Sequence, residues 1–198
     1  MGVGVLAALI MTRDTNRGHL LNGYGLVLSA VYLSWTVIAK QVVDSKIEED
    51  LQAQDIPYQK IFTTPSPFNS LLWRAVVKVD DGYYEGFYSV LDREGSTRFS
   101  FYPSEENLLS GIENHWPVQR LKWFSRGLYS VSQRNADIVI SDLRMGIEPN
   151  YVFSFKVGEI SNPHAEPAVP EAIPNRRDLS KLELIWQRIW DQTVILGR

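Results

Sequence analysis

A chain of 198 residues is long enough for one domain of ordinary size with a sizeable core, plus attachments. With 44% hydrophobic residues and a net charge of -3, it is neither disordered throughout nor drawn electrostatically to nucleic acid. The absence of cysteine excludes a disulfide framework, a thiolate metal site and a Cys nucleophile, but leaves the redox compartment open.

The chain begins with the apolar stretch "GVGVLAALIM", Gly2 to Met11. It is too short to span a bilayer, lacks a positive n-region, and has Leu6 where a myristoylation motif requires Ser or Thr. It reads as the end of a preceding helix, with "TRDTNRGHLLN" as an interhelical loop. Residues 1–22 then belong to a fragment whose upstream membrane helices are missing.

From Tyr24 to Ala39, "YGLVLSAVYLSWTVIA" contains no charge. Leu20, Leu21, Asn22 and Gly23 extend it to the roughly 20 residues that a bilayer core of about 30 Å requires. Tyr24, Tyr32 and Trp35 supply aromatic character of the interfacial kind, and Lys40 can snorkel. The spacing predicts a transmembrane helix; the alternative is a buried core helix of a soluble domain. Arg13 and Arg17 on one side balance Lys40 and Lys46 on the other, so charge does not set the topology.

Val43, Ile47 and Leu51 continue the helical period to Pro57, giving a helix of about 48 Å whose last turns form a stalk, residues 23–56. Glu48, Glu49 and Asp50 read as a solvated helix face rather than a metal ligand set.

Beyond Pro57 the period becomes two, opening an α+β soluble domain over residues 57–160. Trp73, Ala75, Val77 and Val79 fall on one face of a half-buried strand, with Arg74, Lys78 and Asp80 pointing outward. Asp80-Asp81-Gly82 predicts a hairpin in which Gly82 tolerates positive φ, "YYEGFYSVL" returns, and a turn at Arg93-Glu94-Gly95 leads to "TRFSFY", completing a meander. Ser104, Glu105 and Glu106 signal a helix N-terminus, and Pro117 suits the first turn of a second short helix. Three more strands follow: "GLYSVSQ", "DIVISDL" and "YVFSFKV", with a turn at Arg134-Asn135 and a loop "RMGIEPN". The order implies a largely antiparallel sheet with helices on one face.

Residues 161–198 read as a Pro-rich linker and a C-terminal amphipathic helix. "SNPHAEPAVPEAIPNRRD" is extended or polyproline in character, and Ser180 with Glu183 forms a capping box. Leu182, Ile185, Trp186, Ile189 and Trp190 share one face, predicting docking on the sheet, with the headgroup region of a membrane as the alternative. In the docked case Trp186→Ala costs about 3 kcal/mol.

"SPFNSLLWR", "DGYYEGFYSVLD", "WFSRGLYSV" and "ISDLRMGIEPNYVFSFKV", in this order, resemble the C-terminal portion of the bacterial inner-membrane metal-dependent hydrolases, the YdjM-like family. The resemblance runs from about Gly23 to Trp190. It implies a polytopic membrane half carrying His and Asp ligands for a divalent metal, followed by a soluble domain of this kind. His19, His115 and His164 are mutually distant and form no ligand pair, so the resemblance transfers no metal site or cofactor to this chain.

No Gly-x-Ser-x-Gly elbow and no phosphate-binding glycine pattern occurs. Arg74, Arg98, Arg120, Lys122, Trp123 and Arg126 interleave basic and aromatic character, but a pI near 5.6 argues against nucleic acid as partner. The remaining polar set is Asn69, Arg74, Tyr84, Arg126, Asp142, Arg144 and Glu148. Structurally, Asn69 bonds its own loop while Arg126 and Arg144 pair with Asp142 or Glu148; functionally, the arginines grip an anionic headgroup or substrate. The partners implied are the lipid bilayer and upstream membrane helices, in a bacterial inner membrane. The chain is expected to be the membrane-anchored C-terminal region of a metal-dependent hydrolase, supporting or positioning substrate for a catalytic membrane half absent from this chain; the alternative is a noncatalytic membrane-tethered binding or interaction module.

Overall fold

The structure is a computed structural model that describes residues 16–93, 95–161, 164–174 and 180–196. The apolar stretch of residues 2–11, Arg13, Glu94 and Asp178 lie outside the described residues, as do the Ser180 and His164 side chains. The chain forms two compact units, Met1–Val42 and Val43–Arg198.

Helix α1 spans Asn16–Ala53 without interruption, so the segment expected as a polar loop up to Asn22 is helical from Asn16. Asn22–Ala53 is long and apolar enough to cross a membrane. Leu26, Val31 and Leu33 are each more than half exposed, unlike the side chains of a buried core helix.

The second unit begins within α1. Val43, Ile47 and Leu51 are fully buried, so the expected stalk is part of the domain's core. Asp50 belongs to this packed face too: it accepts from Lys46 Nζ at 2.8 Å and from the Thr97 N–H at 2.8 Å. Its neighbours Glu48 and Glu49 remain solvated. The Thr63 hydroxyl donates to Asp44, tying this turn of α1 to the first strand.

That strand, β1 (Lys60–Pro65), is followed by β2 (Leu72–Val79), β3 (Gly82–Ser89) and β4 (Phe99–Pro103). They form an antiparallel sheet in the order β1-β2-β3-β4, so the expected meander gains an edge strand. Gly82 does not adopt positive φ in its hairpin. It is required for close approach instead, since a Cβ there would lie 2.2 Å from the Tyr102 carbonyl oxygen. The β2 strand is buried from Leu72 through Lys78, so Arg74 and Lys78 point into a second packed layer rather than to solvent.

Chain reversal after β4 uses only a 3₁₀ turn, Glu106–Leu109. Ser104 does not cap it; its hydroxyl accepts the Val131 N–H at 3.0 Å, beside a Glu105 N–H to Val131 carbonyl bond at 2.9 Å. Helix α2 (Trp116–Phe124) starts with Pro117 in its first turn, where a missing N–H costs nothing. Strands β5 (Tyr129–Arg134) and β6 (Asp137–Asp142) form a hairpin around Asn135 at φ 57°. The expected loop "RMGIEPN" is a small hairpin, β7 (Gly146–Ile147) with β8 (Asn150–Tyr151), and β9 (Ser154–Ser161) follows. Leu109, Ile112 and Val118 pack on Val131, Ile140 and Val157 of this second sheet.

The segment expected as a linker contains β10 (His164–Ala172), which pairs with β9 and completes the order β10-β9-β6-β5. Its prolines are tolerated because an edge strand has one unpaired side, and the register shifts between Pro167 and Glu171. Helix α3 (Ser180–Trp190) docks as expected through Ile185 and Ile189, which join Leu72, Phe87 and Leu196. Trp186 and Trp190 do not join them: they are 60% and 64% exposed and contact each other edge to face.

The buried face differs from the expected one, which included Leu182, because Arg188 takes a core position beside Ile185 and Ile189 while Leu182 is exposed. Arg188 is buried, chelating Asp92 at 2.8 and 2.7 Å and donating to the Phe87 carbonyl at 2.9 Å. The chain in detergent micelles should therefore keep its urea midpoint in Trp186→Ala, with a change within about 0.5 kcal/mol. Ile189→Ala should lose about 2 to 5 kcal/mol.

Candidate functional site

The face of β2 and β3 that carries Leu72, Val76, Tyr83 and Phe87 also carries Arg74 and Glu85. These two charges form an ion pair with side chains only 4% and 2% exposed. Arg74 Nη1 donates to the Leu143 carbonyl at 2.7 Å, and its guanidinium carbon lies 5.7 Å from the centre of the Tyr151 ring. The second Glu85 oxygen accepts the Glu148 N–H at 3.2 Å.

Above this pair, the Tyr151 hydroxyl donates to the Tyr83 hydroxyl at 3.0 Å, which donates in turn to the Glu148 carboxylate at 2.6 Å. Burial pushes the Tyr83 and Tyr151 phenols far above their ordinary range, so both stay protonated donors. The network thus joins the first sheet to the β6–β8 segment.

Asp142 and Arg144 flank Leu143. Asp142 accepts from the Arg144 N–H at 2.9 Å and from its guanidinium at 2.6 to 3.2 Å, and Arg144 stacks over Phe124 at 5.0 Å. This local clamp presents the Leu143 carbonyl to Arg74. Four of the seven polar residues, Arg74, Asp142, Arg144 and Glu148, therefore meet in one region.

The other three stand apart. Asn69 ties its own loop, accepting from the Leu71 and Leu72 N–H groups at 3.1 and 2.7 Å. Tyr84 lies against Phe101 at 5.1 Å in an open cleft of about 450 Å³ beside Tyr58 and Asp80. Arg126 is exposed at φ 54° after α2, where its carbonyl accepts from Lys60 Nζ at 2.7 Å.

Three participants are absent from the sequence reading: Glu85, Tyr83 and Tyr151. The signal for them is that "LLWRAVVKV" is nearly continuous in apolar residues, the pattern of a strand buried on both faces. Two further ion pairs, each with a buried cation, share this logic. One is Arg188 with Asp92, which lines a cleft of about 370 Å³ between β3, β4 and the segment after α3. The other is Lys78, which donates to Glu106 at 2.7 Å and to the Tyr129 carbonyl at 3.3 Å, while the Tyr129 hydroxyl donates to Glu106 at 2.8 Å.

Chemically, the central network is closed: its cations face carboxylates and carbonyls of the same domain. Among the described residues, no three His, Asp or Glu side chains converge as a metal ligand set. His115 precedes α2, with Nε2 3.4 Å from the Ala168 carbonyl oxygen. Compared with protein-family models, curated proteins and solved structures, the chain matches none.

Breaking the pair from one side should be costly. Arg74→Met leaves the Glu85 carboxylate buried without its partner and should destabilise by about 3 to 5 kcal/mol. Arg74→Met with Glu85→Leu should cost less than the sum of the single changes, measured by denaturant unfolding.

The Glu106 link predicts an acid limb. Burial alone would raise this carboxyl, but hydrogen bonds from Lys78 and Tyr129 outweigh it and hold it below the usual range. A depressed folded value contributes stability above the unfolded carboxylate range near pH 4.3, and that contribution is lost as pH falls through the folded value. Glu106→Gln should flatten the dependence of the unfolding midpoint on pH below about 4.3.

Proposed function

We propose that this protein is a membrane-anchored, noncatalytic module whose α+β domain binds or braces a partner at the bilayer surface. The observation that supports it is α1: one helix supplies both the charge-free run Tyr24–Ala39 and the core stripe Val43, Ile47 and Leu51. A domain that takes a core element from its own anchor cannot be separated from it without exposing that core. The buried charges around Arg74 add to this reading, because their hydrogen-bonding positions are filled from within the domain, so the network braces the two sheets.

A second reading follows from the resemblance to the YdjM-like family. Here the chain is the membrane-anchored C-terminal region of a metal-dependent hydrolase of a bacterial inner membrane. It positions substrate for, or stabilises, catalytic helices outside this chain. It is supported by the way the resembling stretches meet: Arg74 from the first, Tyr83 and Glu85 from the second, and Leu143, Glu148 and Tyr151 from the fourth build one network.

The anchored reading is tested by fractionation. The full chain should remain in the membrane pellet after alkaline carbonate washing; a monodisperse chain in buffer without detergent overturns it. The two readings separate on activity. Chelator-sensitive hydrolysis of phosphate or carboxylate esters by the purified chain overturns the noncatalytic assignment. Hydrolysis that appears only when a His- and Asp-bearing membrane partner is added supports the second reading.

A further inference from the structure

We propose that the turn Ser66–Asn69 is a membrane wedge: Phe68 enters the headgroup and upper acyl region of the bilayer that holds the chain, an inference that rests on the anchored reading above. The turn has Pro67 at its second position, Phe68 at φ 61° in its third, and an Asn69 N–H to Ser66 carbonyl bond at 3.4 Å closing it. That is the pattern of a type II turn, whose third position favours glycine. A bulky side chain there strains the backbone.

The strained position is held firmly. Asn69 accepts from the Leu71 and Leu72 N–H groups and donates to the Ser66 and Pro67 carbonyls, while the Ser66 N–H donates to the Leu72 carbonyl at 2.8 Å. Yet the ring this turn presents rests on nothing, for Phe68 is 97% exposed. The domain thus maintains a strained residue whose side chain contributes nothing to its own packing, and the ring's partner lies outside it.

Three features point to lipid as that partner. Thr63, in the strand leading into the turn, bonds Asp44, the second residue of the domain, so the turn begins three residues beyond a strand position held at the domain's first helical turn. A lone ring that follows the exposed Pro65 and Pro67 offers no groove for a folded partner. As an added contact for a domain already tethered to a bilayer, one ring is sufficient, because the tether supplies a high effective concentration.

The same end of the sheet also carries interfacial aromatics. Leu72, just after the turn, is in register with Ser89, whose hydroxyl donates to the Ile189 carbonyl of α3 at 2.9 Å. On that helix Trp186 and Trp190 are exposed, and Trp is enriched where membrane meets water.

The chain has no cysteine, so single-cysteine variants report cleanly. Phe68→Cys, Val31→Cys and Asn135→Cys, each labelled with an environment-sensitive NBD dye, are reconstituted as full chains in phosphatidylcholine–phosphatidylglycerol vesicles with and without doxyl-labelled lipid. Labels at 31 and 68 should shift to the blue and lose at least half their emission to the doxyl lipid, while the label at 135 should stay water-like and unquenched. Quenching at 31 with a water-like label at 68 overturns the wedge and leaves the anchor standing. No quenching at 31 overturns the anchored reading, and the wedge with it. A blue shift at 68 without lipid quenching places the ring against protein and overturns the proposal, as does equal quenching at 68 and 135. Phe68→Gly should unfold at the same temperature or higher, since glycine suits the turn; a lower unfolding temperature shows that the ring serves the fold and overturns the wedge.

Discussion

The Arg74–Glu85 pair places two charges where apolar packing would otherwise be continuous, between Leu72 and Val76 on one strand and Tyr83 and Phe87 on the next. Charges removed from water are costly unless their remaining hydrogen-bonding positions are filled. Here Leu143 supplies a carbonyl and Glu148 an N–H, and both come from the segment after β6. The first sheet therefore cannot bury its inner face without that segment in place. Much of what lies between the sheets follows from this need: the Asp142–Arg144 clamp around Leu143, and the small hairpin that brings Glu148 and Tyr151 to Tyr83.

The same principle recurs at the periphery. Lys78 is satisfied by Glu106 and the Tyr129 carbonyl, which links β2 to the second sheet. Arg188 is satisfied by Asp92 and the Phe87 carbonyl, which fixes the face that α3 presents. With Arg188 and Ile189 inside, Trp186 and Trp190 are left in solvent, so a single buried cation decides what the tail helix shows to its surroundings. Buried cations thus act as positional pins, each demanding carbonyl and carboxylate partners from a distant part of the chain.

The surface carries exposed aromatic groups, among them Phe68 on its strained turn, Trp116 and Trp123 of α2 and the two tryptophans of α3. Separately, α1 is long and apolar enough to cross a membrane. In the proposed reading that helix is the anchor, and exposed aromatic groups are of the kind enriched where membrane meets water.

The elements are largely legible in the residues. The charge-free run, the period-two strands of the meander, Pro117 at the start of α2 and the Ile185–Ile189 stripe all arise from interactions within a few residues, which local patterning records. The destination of each polar group is not legible in this way. Alternation places Arg74 and Lys78 on one face, but whether that face meets water or a second sheet depends on chain dozens of residues away. The Pro-rich segment is extended by its own composition; its becoming an edge strand required β9 as a neighbour. The bonding of Asn69 within its own loop is legible because those bonds are local, whereas the roles of Glu85, Tyr83 and Tyr151 exist only once the sheets close. Local pattern and turn chemistry settle which segments are helix or strand. Burial of charge, a property of long-range packing and desolvation, settles which side chains make the interior cohere and which are left facing outward.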